Sequence, residues 1–219
     1  VPAVNPFSLP FDEAIDYFKK KNIVSSDFFA LMSDAMKQRA FTVAGLARED
    51  MLADIHGAIL DALEKGTTLE IFKKNFGNIM SRAGWDFTEG RAWRVAIIFD
   101  TNLSCAYAAG RWKQQTDPDV LKVRPYLRYL ESSSVEPRDE HLAWVNTVLP
   151  ADDPWWDTHY PPNDWGCKCG VESVSEGELE KLEKEFSGGN NPIKRDAPPG
   201  DAAEGWNYNP GKTQWGWPE

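Results

Sequence analysis

Cysteine and histidine are each used three times in 219 residues, and that scarcity excludes a good deal. An odd number of cysteines, in a chain that opens on no charged-then-apolar leader, does not build a disulfide framework. No apolar run approaches the ~20 residues that a bilayer crossing takes. The expectation is therefore a protein that starts out soluble in a cytoplasm, with no membrane partner. H-E-x-x-H, the Walker A phosphate loop and the G-x-S-x-G elbow are all missing. Positive charge is in deficit too: 24 Lys and Arg face 34 Asp and Glu, a net −10. A phosphate backbone repels such a chain unless basic residues gather, and Lys19 to Lys21, Lys73-Lys74 and Lys194-Arg195 read as short solvated runs.

What is present suits a folded protein. Hydrophobic residues at 42% and charged residues at 26% are enough to bury a core, which rules out wholesale disorder. Ten tryptophans are unusual, and Trp144, Trp155, Trp156, Trp165 and Trp206 crowd a region where helical periodicity fades. That region is expected to be ordered by aromatic packing more than by regular elements.

Along the chain, Asp12 and Glu13 open an amphipathic run after Pro10 and Lys19 to Lys21 close it, favouring the helix dipole at both ends. A second helix is predicted from Ser25 or Ser26, with Phe28, Leu31, Met32, Ala35 and Met36 on one face. Leu52, Ile55, Ile59 and Leu63 then mark a helix ending at Gly66. Leu69, Phe72, Phe76 and Ile79 mark the next, stopping at Gly84, so the two read as a helical hairpin. The longest candidate helix runs from about Thr88 to Gln115, closed by Asp117-Pro118. Cys105 lies in it among alanines and reads as a small buried hydrophobe. His56 reads as a helix-surface or core-edge histidine.

After Pro125 the pattern changes. Tyr126, Arg128 and Leu130 alternate with Leu127, Tyr129 and Glu131, the best strand signal in the chain. "RDEHLAWVNTVLP" supplies one or two helical turns, and residues 150–170 form a loop rich in Pro, Asp and Trp. Ser175 and Glu178 stand in capping-box spacing ahead of a short helix. Residues 187–219 read as an arm with aromatic anchors or a mobile tail. The fold class predicted is α+β and helix-rich. The divisions are residues 1–84, a helical N-terminal docking segment; 85–186, a small mixed core module with the Trp/Pro-rich loop; and 187–219, an extended C-terminal arm.

The chemistry concentrates in "THYPPNDWGCKCGV", residues 158–171. His141 is followed after seventeen residues by His159, after seven more by Cys167, and after one more by Cys169. Two imidazoles and two thiolates would complete a tetrahedral zinc site of the closed, structural kind, with zinc as a folding cofactor. Cysteines one residue apart point to opposite faces of an extended strand, so one ion takes both only where the backbone turns, and Gly166 and Gly170 permit that. The same residues also suit buried free thiols with solvent-facing histidines. Asp152, Asp153, Asp157 and Asp164 read as solvated turn residues or as holders of a divalent ion.

The run 138–171 resembles the Mu F-like minor head protein family of tailed bacteriophages. The matching pieces are "RDEHLAW", "ADDPWWDTHY" and "PPNDWGCKCGV", with Pro161, Pro162, Asn163 and Trp165. Upstream, "RVAIIFDTNLSCAYAAGRWKQ" is similar to a family helix, and Tyr208, Asn209, Pro210 and Gly211 resemble its late Tyr-Asn-Pro-Gly motif. The resemblance covers roughly residues 40–212. Lys168 departs from it where arginine is common, keeping the charge but not a bidentate contact. It implies a head-morphogenesis protein of a phage or prophage, found in the virion head and in the host cytoplasm during assembly. It also implies portal and major capsid proteins as partners, weak contact with packaged DNA, roles in packaging or ejection, and no enzymatic activity. The family's His and Cys positions fall on His141, His159, Cys167 and Cys169.

Three functional classes remain distinct on the sequence: a non-enzymatic head protein; a metal-dependent nuclease or hydrolase with His141 as general base; and an adaptor docking through the tryptophans of "GWNYNPGKTQWGWPE".

Overall fold

A computed structural model describes residues 11–82 and 92–218. Its elements in chain order are α1 (Asp12–Lys19), β1 (Asn22–Ile23), α2 (Ser26–Leu31), α3 (Asp34–Lys37), β2 (Ala40–Phe41), α4 (Glu49–Lys65), α5 (Leu69–Arg82) and α6 (Ala92–Gln115). There follow α7 (Pro118–Val123), β3 (Tyr126–Leu130), α8 (Asp139–Trp144), β4 (Val148–Pro150), α9 (Trp156–His159), β5 (Gly170–Val174), α10 (Glu176–Phe186) and α11 (Pro210–Trp215). The fold is thus helix-rich with a small antiparallel sheet, as the α+β expectation required. Two compact units divide between Gly110 and Arg111, inside α6. Residues 187–218 belong to the same unit as residues 111–186. Among the described residues no helix is long and apolar enough to cross a membrane.

The first unit is built on the hairpin predicted from periodicity. Leu52, Ile55 and Ile59 of α4 and Phe72 of α5 are fully buried. Gly66 stands at the C′ position with φ +67° and donates its N–H to the Ala62 carbonyl, a conformation that glycine adopts without strain. Gly84 and the stretch before Ala92 lie outside the described residues, as does Pro10. The predicted second helix is broken: Met32 and Ser33 take extended ψ values of 150° and 158°. Ser33 thereby ends one helix and precedes the next, so the single apolar face never forms. Met32 is buried, whereas Phe28, Leu31 and Met36 are exposed. His56 is half-buried, stacked on Phe18, with Nε2 donating to the Phe18 carbonyl. Cys105 is buried.

Lys21 offers a test of this unit. Its Nζ donates to the carbonyls of Gln38 at 3.1 Å and Ala40 at 3.4 Å and lies 4.8 Å from the Tyr17 ring centroid. Burial lowers its pKa to about 8, with Cys105 acting the other way. A lysine with a lowered folded pKa binds fewer protons folded than unfolded between about 8 and its ordinary value. Stability is therefore expected to rise with pH across that window, because the cost of the buried charge is relieved as the folded state loses its proton. Thermal unfolding from pH 7 to 10 should show this slope in wild type and a flatter one in Lys21→Met. Equal slopes would show that the charge carries no such cost.

The second unit centres on a three-stranded sheet, order β4-β3-β5, with β3 antiparallel to both neighbours. Alternation along β3 turns Leu127 and Tyr129 into the core. Arg128 faces the other way, pairing with Glu172 at 3.0 Å and donating to Asn146 Oδ1. Ser175 and Glu178 form the predicted capping box at the start of α10. The stretch after α10 is anchored: Val148 N–H donates to the Lys194 carbonyl, and Lys194 N–H to that of Asn146. Trp206, Asn209, Pro210 and Gly211 are buried. Strands β4 and β5 and helix α11 lie where the sequence pattern predicts helical turns, loop or arm.

Candidate functional site

The site lies where α8, the loop before β5 and the end of β3 meet. Arg138, just ahead of α8, holds the loop: its guanidinium pairs with Asp164 at 2.8 Å and donates to the Trp165 carbonyl at 2.9 Å. Asn163 is buried and accepts from the Tyr129 hydroxyl at 3.0 Å. The chain then turns, with Gly166 at φ +67° and Cys167 N–H donating to the Asp164 carbonyl. This turn answers the geometric objection to C-x-C. Cys167 and Cys169 occupy irregular backbone ahead of Gly170, so both sulfurs reach one side.

They converge on His141. Its Nδ1 lies 3.7 Å from Cys167 Sγ and 3.6 Å from Cys169 Sγ, and the ligand atoms of the three residues all lie within 4.8 Å of one another. His141 and Cys167 are buried, while Cys169 is half-exposed. The two thiols divide their protons unequally. A hydrogen bond from Cys169, then the His141 ring, hold Cys167 below the ordinary thiol range against the cost of burial. The Cys167 sulfur and burial push Cys169 up, and burial with the nearby sulfurs pushes Tyr129 up.

His159 does not join them. Its Nε2 donates to the Gly200 carbonyl at 3.0 Å, and Nδ1 lies 2.8 Å from the Thr158 hydroxyl. Its ring stacks on Trp155, centroids 4.4 Å apart at 9°, and meets Trp144 edge-on at 4.8 Å. Both nitrogens are taken by protein partners and the ring lies among aromatics. Of the four residues grouped in the sequence, the structure brings three together. The spacing of Trp155 and His159, four residues apart on one helical turn, is the signal that would have placed this histidine on a tryptophan.

The remaining motif residues serve architecture. Pro161 and Pro162 are buried, joined by a cis peptide. Trp165 is 56% exposed, with Trp206 edge-on 5.1 Å away. Asn209 caps α11 by accepting from Lys212 N–H and donates to the Trp156 carbonyl, while Tyr208 is half-buried. The candidate carboxylates do not gather. Asp153 accepts from Trp155 N–H, Asp157 pairs with Lys212 and Asp164 with Arg138. Among the described residues the one convergent His/Cys/Asp/Glu group is His141, Cys167 and Cys169. His141 Nδ1 faces the two sulfurs and none of these carboxylates.

Fold and site together define a helix-rich α+β protein whose most conspicuous polar cluster is a Cys/His triplet in an aromatic frame. The sequence pattern of the family described as "Phage Mu protein F like protein" matches residues 53–172. The chain belongs to that family. It is 32% identical over 196 residues to "Putative capsid assembly protein F" of Escherichia phage Mu, covering 83% of this chain and 44% of that protein. It is likewise 32% identical over 212 residues to "Mu-like prophage FluMu F protein" of Haemophilus influenzae, covering 81% of this chain and 51% of that one. The chain spans about half the length of the curated relatives it matches. No solved structure matches it.

Proposed function

We propose that the chain is a minor head protein acting in head morphogenesis near the portal, with the portal and major capsid proteins as its partners. The observation that carries this reading is its identity to a phage Mu protein named for capsid assembly. The acidic charge, −10 overall, favours contact with protein and limits any meeting with packaged DNA to a weak one. Exposed apolar side chains in the first unit, Phe28, Leu31 and Met36 among them, are of the type that contributes to protein interfaces. The role is structural, with the second unit as a rigid module, and its place is the virion head after assembly in the host cytoplasm.

Co-expression with the cognate major capsid protein, with and without the portal, tests the reading. Particles assembled with the portal should retain the protein through a salt wash, and portal-free particles should lose most of it. Equal retention by both would overturn the portal assignment, and absence from both would overturn the head role. Cleavage of duplex or single-stranded DNA in Mg²⁺ or Mn²⁺, lost in His141→Ala, would establish an enzyme instead.

A further inference from the structure

The spacing of the triplet is that of ligands around a metal ion. For zinc bonded to sulfur at about 2.3 Å and to imidazole nitrogen at about 2.0–2.1 Å, a tetrahedral angle places N and S about 3.6 Å apart. The observed N–S separations of 3.7 Å and 3.6 Å match that figure, and all three ligand atoms lie within 4.8 Å of one another. Two further observations point the same way. Asn163, ahead of the turn, is buried and accepts from the Tyr129 hydroxyl at 3.0 Å, an outer contact that orients the loop carrying both sulfurs. The Arg138 clamp onto Asp164 and Trp165 fixes the turn that aims both sulfurs, so the donors are set in place by groups that are not themselves ligands.

We propose that His141 Nδ1, Cys167 Sγ and Cys169 Sγ bind one thiophilic divalent ion of the zinc class, in a three-ligand site that excludes His159 and takes its fourth donor from solvent. The thiol protons pass to water as the ion binds. The solvent position follows from the half-exposure of Cys169 and from the lack of a fourth convergent His, Cys, Asp or Glu among the described residues. The ion would tie α8 to the start of β5, a cross-link between elements that otherwise meet through a loop. This site stands independently of the head-assembly reading, since metal content is measured on the isolated protein.

The test uses the purified chain, stripped with a chelator and titrated with Zn²⁺ and, separately, with Co²⁺. One ion per chain is expected, with a sulfur-to-cobalt charge-transfer band that falls by about half in Cys169→Ser. Adding imidazole should shift the cobalt spectrum by filling the open position. In wild type, Zn²⁺ should slow alkylation of Cys167 and Cys169 at least tenfold and leave buried Cys105 unchanged, a readout that holds even where a variant folds poorly. Absence of a thiolate band and of protection would overturn the site. Loss of the band in a folded His159→Gln variant would overturn the ligand set, and a spectrum indifferent to imidazole would overturn the solvent position.

Discussion

Replacing Trp144 by alanine is expected to destabilise the second unit by about 3–5 kcal/mol, the range for deleting a large buried aromatic. The indole is 1% exposed and stands between the two histidines. The His141 ring stacks on it with centroids 5.1 Å apart, and His159, Tyr129 and Trp155 meet it edge-on. Its Nε1–H donates to the Pro199 carbonyl at 3.3 Å, beside the Gly200 carbonyl that His159 holds. One side chain thus supports both the Cys/His cluster and the attachment of the C-terminal arm. Trp144→Phe separates the two contributions: it keeps most of the aromatic contact and loses the hydrogen bond, so roughly 1–3 kcal/mol is expected. Urea unfolding followed by circular dichroism measures both. A loss below about 1 kcal/mol for Trp144→Ala would show that the aromatic cluster does not hold this unit together.

Local signals were legible in the sequence where local chemistry decides the structure. Gly66 at C′, the Ser175/Glu178 capping box and the alternation of β3 each depend on a few neighbouring residues, and each is found as read. The second helix failed because apolar spacing from Phe28 to Met36 outweighed Ser33, an N-cap residue that should have broken the run. Strands β4 and β5 were missed for another reason. Three residues of Val148–Pro150 and the Gly-led Gly170–Val174 carry little strand signal of their own, and pairing with β3 from both sides gives them their form. Helix α11 was hidden by Pro and Gly, although Asn209 followed by Pro210 is an N-cap and N1 pair that announces a helix start. At the candidate site the sequence groups His141, His159, Cys167 and Cys169; the structure brings His141, Cys167 and Cys169 together and sets His159 against the Gly200 carbonyl. Linear spacing does not distinguish a ligand from a histidine whose two nitrogens are used to fasten the arm.

The other large effect is expected at Gly211, and there two general tendencies oppose each other. Gly211 and Gly177 both occupy the second position of their helices, α11 and α10. Alanine at such a site ordinarily stabilises by roughly 0.4–1 kcal/mol, by restricting the unfolded chain. A Cβ on Gly177 would meet nothing within 4 Å, so Gly177→Ala should show that gain. A Cβ on Gly211 would lie 2.4 Å from Trp112 Cβ and 2.6 Å from both Cγ and Cδ1. These atoms sit at the root of a side chain that is 1% exposed and wedged between Tyr160 and Trp217. No rotation of the distal ring relieves the contact; helix α11 or the α6 backbone must move. Overpacking of this kind costs about 1–3 kcal/mol, which exceeds the entropic gain and reverses its sign. Gly211→Ala should therefore lower the unfolding midpoint while Gly177→Ala raises it, with the change in Trp fluorescence confined to the first variant. If both raise it, α11 is free to shift away from Trp112, and the late Tyr-Asn-Pro-Gly motif is a cap alone. If they diverge as expected, Gly211 is the point at which the C-terminal arm is fitted against α6, and the requirement there is for space rather than for backbone freedom.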